Sequence, residues 1–367
     1  MKRALLLFGA FPALAHGCYN DRDTLGYELR NRPDVQRALT GRFERNPPLY
    51  YRMRVERLRR KESLTSAERD DLAVALDRVG RSDEALAALT LKDRTTTMAK
   101  YRFYANRGTI RAHRWLYRGA KATEVKDLQA AEADIDRALR LNPKAHFGRE
   151  GTQLWVLRWF EANAQGKGSE SLGGYLLGHK EKADPLIGLA GLTTLGAAWE
   201  SSDVALAMGE LAAEDMRYAL AEMGVLRYRE LLAAGRRSSS PGLSNAKAES
   251  LEGIYDHLEG PRGEKSISRE YADLRREAEA WQEARTAFLL AGLRKGRHPD
   301  TDPRFWAGWK DSPAPRLDPQ RLEPASVGRN RLLYVLLGLF ALGFVALCVG
   351  MVALARRIVR RLRRKGA

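Results

Sequence analysis

Cysteine is almost missing from this chain: Cys18 and Cys348 are the two present in 367 residues. One stands directly behind an apolar N-terminal stretch and the other inside a long apolar run, so no internal disulfide is expected between them, and Cys-rich zinc sites are excluded. Histidine is also scarce, with six scattered copies and no His-Glu-x-x-His. There is no Gly-x-Ser-x-Gly and no glycine-rich loop ahead of Lys-Ser/Thr. The local signatures of zinc proteases, nucleophile-elbow hydrolases and P-loop enzymes are therefore absent. The reading is of a non-enzyme with no cofactor and no metal. "DRDT" (Asp21 to Thr24) hints at a divalent-metal loop, but neither the glycine turn nor the terminal Glu of a calcium loop follows. A capping role for Asp23 or Thr24 ahead of "LGYELR" is expected instead.

Acidic residues are missing from one place in particular, since none follows Glu323. The formal charge is +17, and eleven of the 63 basic residues crowd the two ends: Lys2, Arg3, Arg329, Arg331, and the seven from Arg356 to Lys365. Setting these aside leaves 52 cations against 46 acids, an interspersed surface of about +6, which does not make a nucleic-acid face. The terminal cations flank apolar runs. Leu332 to Ala355 contains no Asp, Glu, Lys, Arg or His, and a helix of that length would rise about 36 Å, enough for one bilayer crossing. The reading is a single C-terminal transmembrane helix with a cytoplasmic basic tail. "MKRALLLFGAFPALAHGC" reads as a cleavable secretory signal, with lipidation of Cys18 as the alternative, although Ala15-His16-Gly17 matches a lipidation site poorly. The body would then lie outside the cytoplasmic membrane, periplasmic or extracellular. Ala346-x-x-x-Gly350 is a small-residue spacing that would let two spans approach as a weak homodimer.

Sustained strand alternation is lacking as well, whereas Ala, Leu, Glu and Arg recur with apolar residues at helical spacing, so the fold class is all-α. "DDLAVALDRVGRSDEALAAL" carries Leu72, Ala73 and Leu76 on one helix, Gly80 at a turn, and Ala85 and Leu89 on a second, the cadence of a tetratricopeptide repeat. A second copy begins near Tyr101, with Gly108 at the small position and Ala131, Ile135, Ala138 and Pro143 closing it. An insertion around "RWLYRGAKATEV" lengthens its first helix or bulges from its turn. The organisation expected is a signal (1–15), a helical cap (16–60), tetratricopeptide-like repeats (61–165), a loop (166–174), a repeat-like region (175–233), a loop (234–248) and a helical region (249–310). A Pro-rich stalk (311–330), the span (331–355) and the tail (356–367) follow.

"CYNDRDTLGYE", "RNPPLYYRMRVERL" and above all "NPKAHFGRE" resemble a family of exported, membrane-anchored bacterial tetratricopeptide proteins, over roughly residues 18 to 232. The resemblance implies a helical-repeat solenoid and no activity. By the same resemblance, Asp70, Val74, Asp77 and Arg78 from the first copy and Arg102, Thr109 and His113 from the second would face a groove. The arginines and His113 there would favour an acidic protein or peptide. His146, Arg149 and Glu150 form a second candidate, a polar cluster. The plainer reading of that stretch is that Asn142 ends one helix, Pro143 opens the next, and Phe147, Leu154, Leu157 and Phe160 face the preceding repeat. A membrane-tethered scaffold with a peptide groove is the resulting expectation. Its alternatives are an envelope enzyme acting near His146 and Arg149, or a spacer that binds nothing.

Overall fold

The computed structural model describes residues 19–318, apart from 93, 144, 180–183, 197 and 256–265. The regular elements among them are helices: α1 (Arg22–Arg30), α2 (Val35–Thr40), α3 (Pro48–Arg59), α4 (Ser66–Asp77), α5 (Ser82–Ala88), α6 (Thr97–Tyr117) and α7 (Val125–Leu141). They continue with α8 (Arg149–Ala164), α9 (Leu172–Leu177), α10 (Pro185–Leu195), α11 (Ser202–Glu214), α12 (Tyr218–Ala233), α13 (Pro241–Tyr255) and α14 (Ile267–Arg294). Local chemistry sets many of the starts. Thr65 and Glu68 form a capping box on α4, and Thr96, Ser171, Asp184 and Ser201 accept from the first amides of α6, α9, α10 and α11. Each such cap supplies an acceptor to an otherwise orphaned N–H and contributes about 1 kcal/mol.

Sequential helices pair as a helical repeat does. α4 and α5 meet across Gly80, whose φ of 78° is left-handed, and Leu72, Ala73, Leu76, Ala85 and Leu89 are buried. α6 lies against α7, and a Cβ on Gly108 would stand 2.9 Å from the Ala131 carbonyl oxygen. Only glycine permits that approach. The stretch "RWLYRGAKATEV" is taken up by the end of α6, which runs 21 residues to Tyr117, and by one 3₁₀ turn (Ala122–Glu124) ahead of α7. α11 and α12 make a third close pair, with Gly209 against Gly224.

The array is closed, however. α14 lays Leu289 and Leu293 into the same core as Val55, Leu72 and Leu76, and α2 is wedged among α10, α12 and α14. A second, larger core gathers Trp115, Trp159, Phe160, Leu189 and Met223 behind the later pairs. Two expected connections are shorter than composition suggested. Pro241 opens α13 inside the serine-rich stretch, and residues 311–318 of the supposed stalk lie on the body. There Leu317 is buried, its amide donates to Gln36 Oε1 at 3.1 Å, Gln36 Nε2 donates to the Pro315 carbonyl at 3.0 Å, and Arg316 pairs with Asp34 at 2.8 Å.

The single C-terminal transmembrane helix, and the single-pass placement of the chain built on it, require correction. No helix among the described residues is long and apolar enough to cross a membrane. The most apolar, α10, has 11 residues, which rise about 16 Å, and the longest, α14, carries charged residues along most of its 28. Leu332 to Ala355 lies outside the described residues, as do the signal segment and the Ala346/Gly350 spacing.

Candidate functional site

The N-terminal segment packs on side chains of α4 and α6, among them Asp77 and His113, which were expected to line an open groove. Tyr19 and Asn20 precede α1 without regular structure, and Asp21 caps it by accepting from the Thr24 amide. The cap is thus Asp21, not Asp23 or Thr24. The Tyr19 hydroxyl donates to Asp77 Oδ2 at 2.7 Å, and His113 Nδ1 lies 2.6 Å from the same oxygen. Asn20 donates its amide to Asn106 Oδ1 at 2.7 Å, and Arg22 donates its amide to Asp71 Oδ1 at 2.9 Å. Side chains of α4 and α6 therefore read the backbone and side chains of an extended segment.

Charge completes the contact. Asp23 accepts from Arg54 at 2.9 Å and from the Tyr50 hydroxyl at 2.8 Å, and Asp21 lies 3.4 Å from the same guanidinium. Arg54 is fully buried and also holds Asp300 at 2.6 Å, joining the segment to the turn after α14. At the other end Glu28 pairs with Arg149 at 2.9 Å and with His146, while Arg149 donates to the Tyr19 carbonyl at 3.2 Å. Burial disfavours ionisation of Glu28, but Arg149 and the His146 hydrogen bond outweigh it and hold its pKa below the usual carboxylate range. Asp300 is held at about 2, burial being outweighed by Arg54. Asp71 goes the other way: burial, with Asp21 nearby, pushes its pKa up to about 7.

His146 and Phe147 have φ of 49° and 59°, and Gly148 follows at 82°. Two consecutive non-glycine residues in the left-handed region cost on the order of 1–3 kcal/mol each, so the surroundings must hold them there. The His146 ring stacks on Tyr101 at 5.9 Å while its Nδ1 meets Glu28. Asn142 does end α7, and Glu150 does sit in the first turn of α8, where it accepts from the Tyr101 hydroxyl at 2.6 Å. Pro143 does not open the next helix, which starts at Arg149 after the left-handed turn, and Phe147 is half exposed. Leu154, Leu157 and Phe160 are buried.

The structure divides the groove positions. Asp70, Val74, Asp77, Thr109 and His113 are all buried. Asp70 pairs with buried Arg94 at 2.7 Å, and Thr109 accepts from Gln153 at 3.1 Å. Only Arg78 and Arg102 keep partial exposure. Arg78 lies 4.3 Å over the Tyr19 ring and donates to the Leu195 and Gly196 carbonyls at 2.9 and 2.8 Å. Sequence reasoning missed the contacts that dock this segment, those of Tyr19 with Asp77, of Asn106 with Asn20 and of Arg54 with Asp21 and Asp23. For Arg54 a signal was available, because Tyr50 and Arg54 stand one helical turn apart in a stretch already singled out. Among the described residues no group of three His, Cys, Asp or Glu side chains could hold a metal ion. No family model, curated protein or solved structure matches the chain.

Proposed function

We propose that the protein is a tetratricopeptide-like, non-enzymatic binding module whose groove takes an acidic peptide segment, with its own N-terminal segment as the resident occupant. The observation that carries this reading is how residues 19–28 are held. Their three carboxylates, Asp21, Asp23 and Glu28, meet Arg54, Arg149 and His146, and their backbone is read by Asn106, Asp71 and Arg149. Helical-repeat grooves hold extended or helical segments in this way, with main-chain contacts for affinity and charged pairs for selectivity. A tethered occupant acts at an effective concentration in the millimolar range, so a partner segment must outcompete it or arrive when it is loosened.

The test uses a labelled peptide copying residues 19–30 and the full chain carrying Tyr19→Ala with Glu28→Ala. The expected outcome is saturable binding to this variant by fluorescence anisotropy and none to the unmodified chain. A peptide with both aspartates changed to Asn should bind about tenfold more weakly, a loss of about 1.4 kcal/mol. Failure of the peptide to bind a variant that circular dichroism shows to be folded would count against exchange and leave the segment a fixed part of the fold.

A further inference from the structure

A cavity of about 310 Å³ opens beside the docked segment, walled by Tyr19, Tyr51 and Arg78 on one side and by Phe43, Arg45 and Trp199 on the other. That volume is at the small end of pockets that hold low-molecular-weight ligands and is too small for a peptide segment. Two arginines and two glutamates line it. Arg45 lies 4.9 Å from both the Phe43 and the Trp199 ring, and its guanidinium makes one hydrogen bond among the described residues, Nη1 to the Gly41 carbonyl at 2.8 Å. Arg78 is held by the Tyr19 ring and the last carbonyls of α10, and its Nε is buried without a partner. Neither guanidinium has a carboxylate within ion-pair distance among the described residues, although every other deeply placed arginine discussed above has one.

The two acids on the cavity wall are already engaged outside it. Glu44 pairs with Arg285 at 3.1 Å and Arg30 at 3.6 Å, and Glu200 pairs with Arg236 at 2.9 Å. Behind Trp199, Arg227 and Arg275 lie 3.7 and 5.2 Å from its ring and share Glu230. Desolvation first, then the repulsion of Arg275 and Arg227, outweighs the attraction of Glu279 and Glu200 and brings the pKa of Arg45 down to about 10. A cation in that position gains from any anion brought next to it. Guanidinium N–H groups present a planar fork to carboxylate and phosphate oxygens, and the aromatic walls offer flat apolar faces.

We infer that this cavity is a binding site for a small organic anion, an aromatic carboxylate or phosphate monoester, with Arg45 and Arg78 gripping the anionic group and Phe43, Tyr51 and Trp199 packing on its ring. The cavity shares Tyr19 and Arg78 with the docked segment, but its test turns on Arg45, which makes no hydrogen bond or ion pair to residues 19–28 among the described residues, so failure of groove exchange and failure of anion binding are read separately. The test titrates the full chain with benzoate, phenyl phosphate, inorganic phosphate and benzylamine, read by tryptophan fluorescence and calorimetry. Benzoate and phenyl phosphate should bind saturably, inorganic phosphate more weakly for want of a ring, and benzylamine not at all. Whichever of the first two binds tighter names the head group. Arg45→Gln should weaken binding about tenfold or more and Arg45→Lys by less, because lysine keeps the charge and loses the fork. Should Arg45→Gln unfold, dicarbonyl labelling of arginines in the unmodified chain gives the same answer, with benzoate expected to protect Arg45. No saturable anion binding below about 10 mM, a free energy under about 3 kcal/mol, would overturn the site. So would equal binding by Arg45→Gln, or labelling of Arg45 indifferent to benzoate.

Discussion

Asp71 shows what the docked segment asks of single residues. Its carboxylate accepts from the Arg22 amide yet is buried near Asp21, and its pKa rises to about 7. Unfolded, it would titrate near 4, so between about pH 4 and 7 the folded state binds the extra proton. The sign follows directly: Asp71 favours the fold below about pH 4, and that contribution is lost as pH rises to about 7. Asp300 has the opposite sign in a lower window, since its pKa of about 2 gives stability that is lost as pH falls below about 4. Asp71→Asn keeps an acceptor for the Arg22 amide and removes the titration. It should stabilise the protein at pH 8 by on the order of 1–3 kcal/mol and change little at pH 4, measured by urea unfolding at both values. An equal effect at both would mean that the carboxylate is not desolvated as described.

Helix pairs were legible wherever the repeat cadence is carried by small residues, because a close approach demands them whatever the neighbours do. Gly108 against Ala131 is the clearest case, and Gly80 at its turn is another. The same rule separates glycines that matter from those that do not. A Cβ on Gly224 would stand 2.5 Å from Gly209 Cα across α11 and α12, whereas one on Gly151 in α8 meets nothing within 4 Å. Gly224→Ala should therefore cost about 1–3 kcal/mol by overpacking, and Gly151→Ala should gain about 0.5–1 kcal/mol through helix propensity, both read from thermal melts. What was not legible is which face of each helix meets a distant segment. Asp77 and His113 are the residue types of a solvated groove, and they are buried because Tyr19, 58 residues from Asp77, supplies a hydroxyl between them. The left-handed turn at His146 was hidden for a related reason: its cost is met by Glu28 and Tyr101, neither of which is near it in the chain. Arg45 carried no local sign at all, since its importance lies in the carboxylate that is missing around it.

At the scale of the whole molecule, long-range ties on one buried guanidinium turn a repeat array into a closed body. Arg54 on α3 binds Asp21 and Asp23 ahead of and within α1 and Asp300 beyond α14, with Arg57 adding a second hold on Asp300 at 2.5 Å. An isolated repeat array is held by nearest neighbours alone and frays from its ends. Here both flanks of the described chain meet at α3, so opening one exposes the charge that holds the other. Removing Arg54 leaves Asp300 with Arg57, His298 and a partly exposed Arg22, and leaves Asp21 without its cation. Truncating one partner of a buried ionic network costs about 3–5 kcal/mol, since the remaining charges stay desolvated. Arg54→Ala should therefore lower stability by that amount and, under native conditions, speed amide exchange in two stretches at once, residues 22–30 and 298–306. The α11–α12 pair, in the other core, should keep its protection. Faster exchange at 22–30 alone would mean that the C-terminal turn is held by the Leu289, Leu293 and Phe305 packing and not through Arg54.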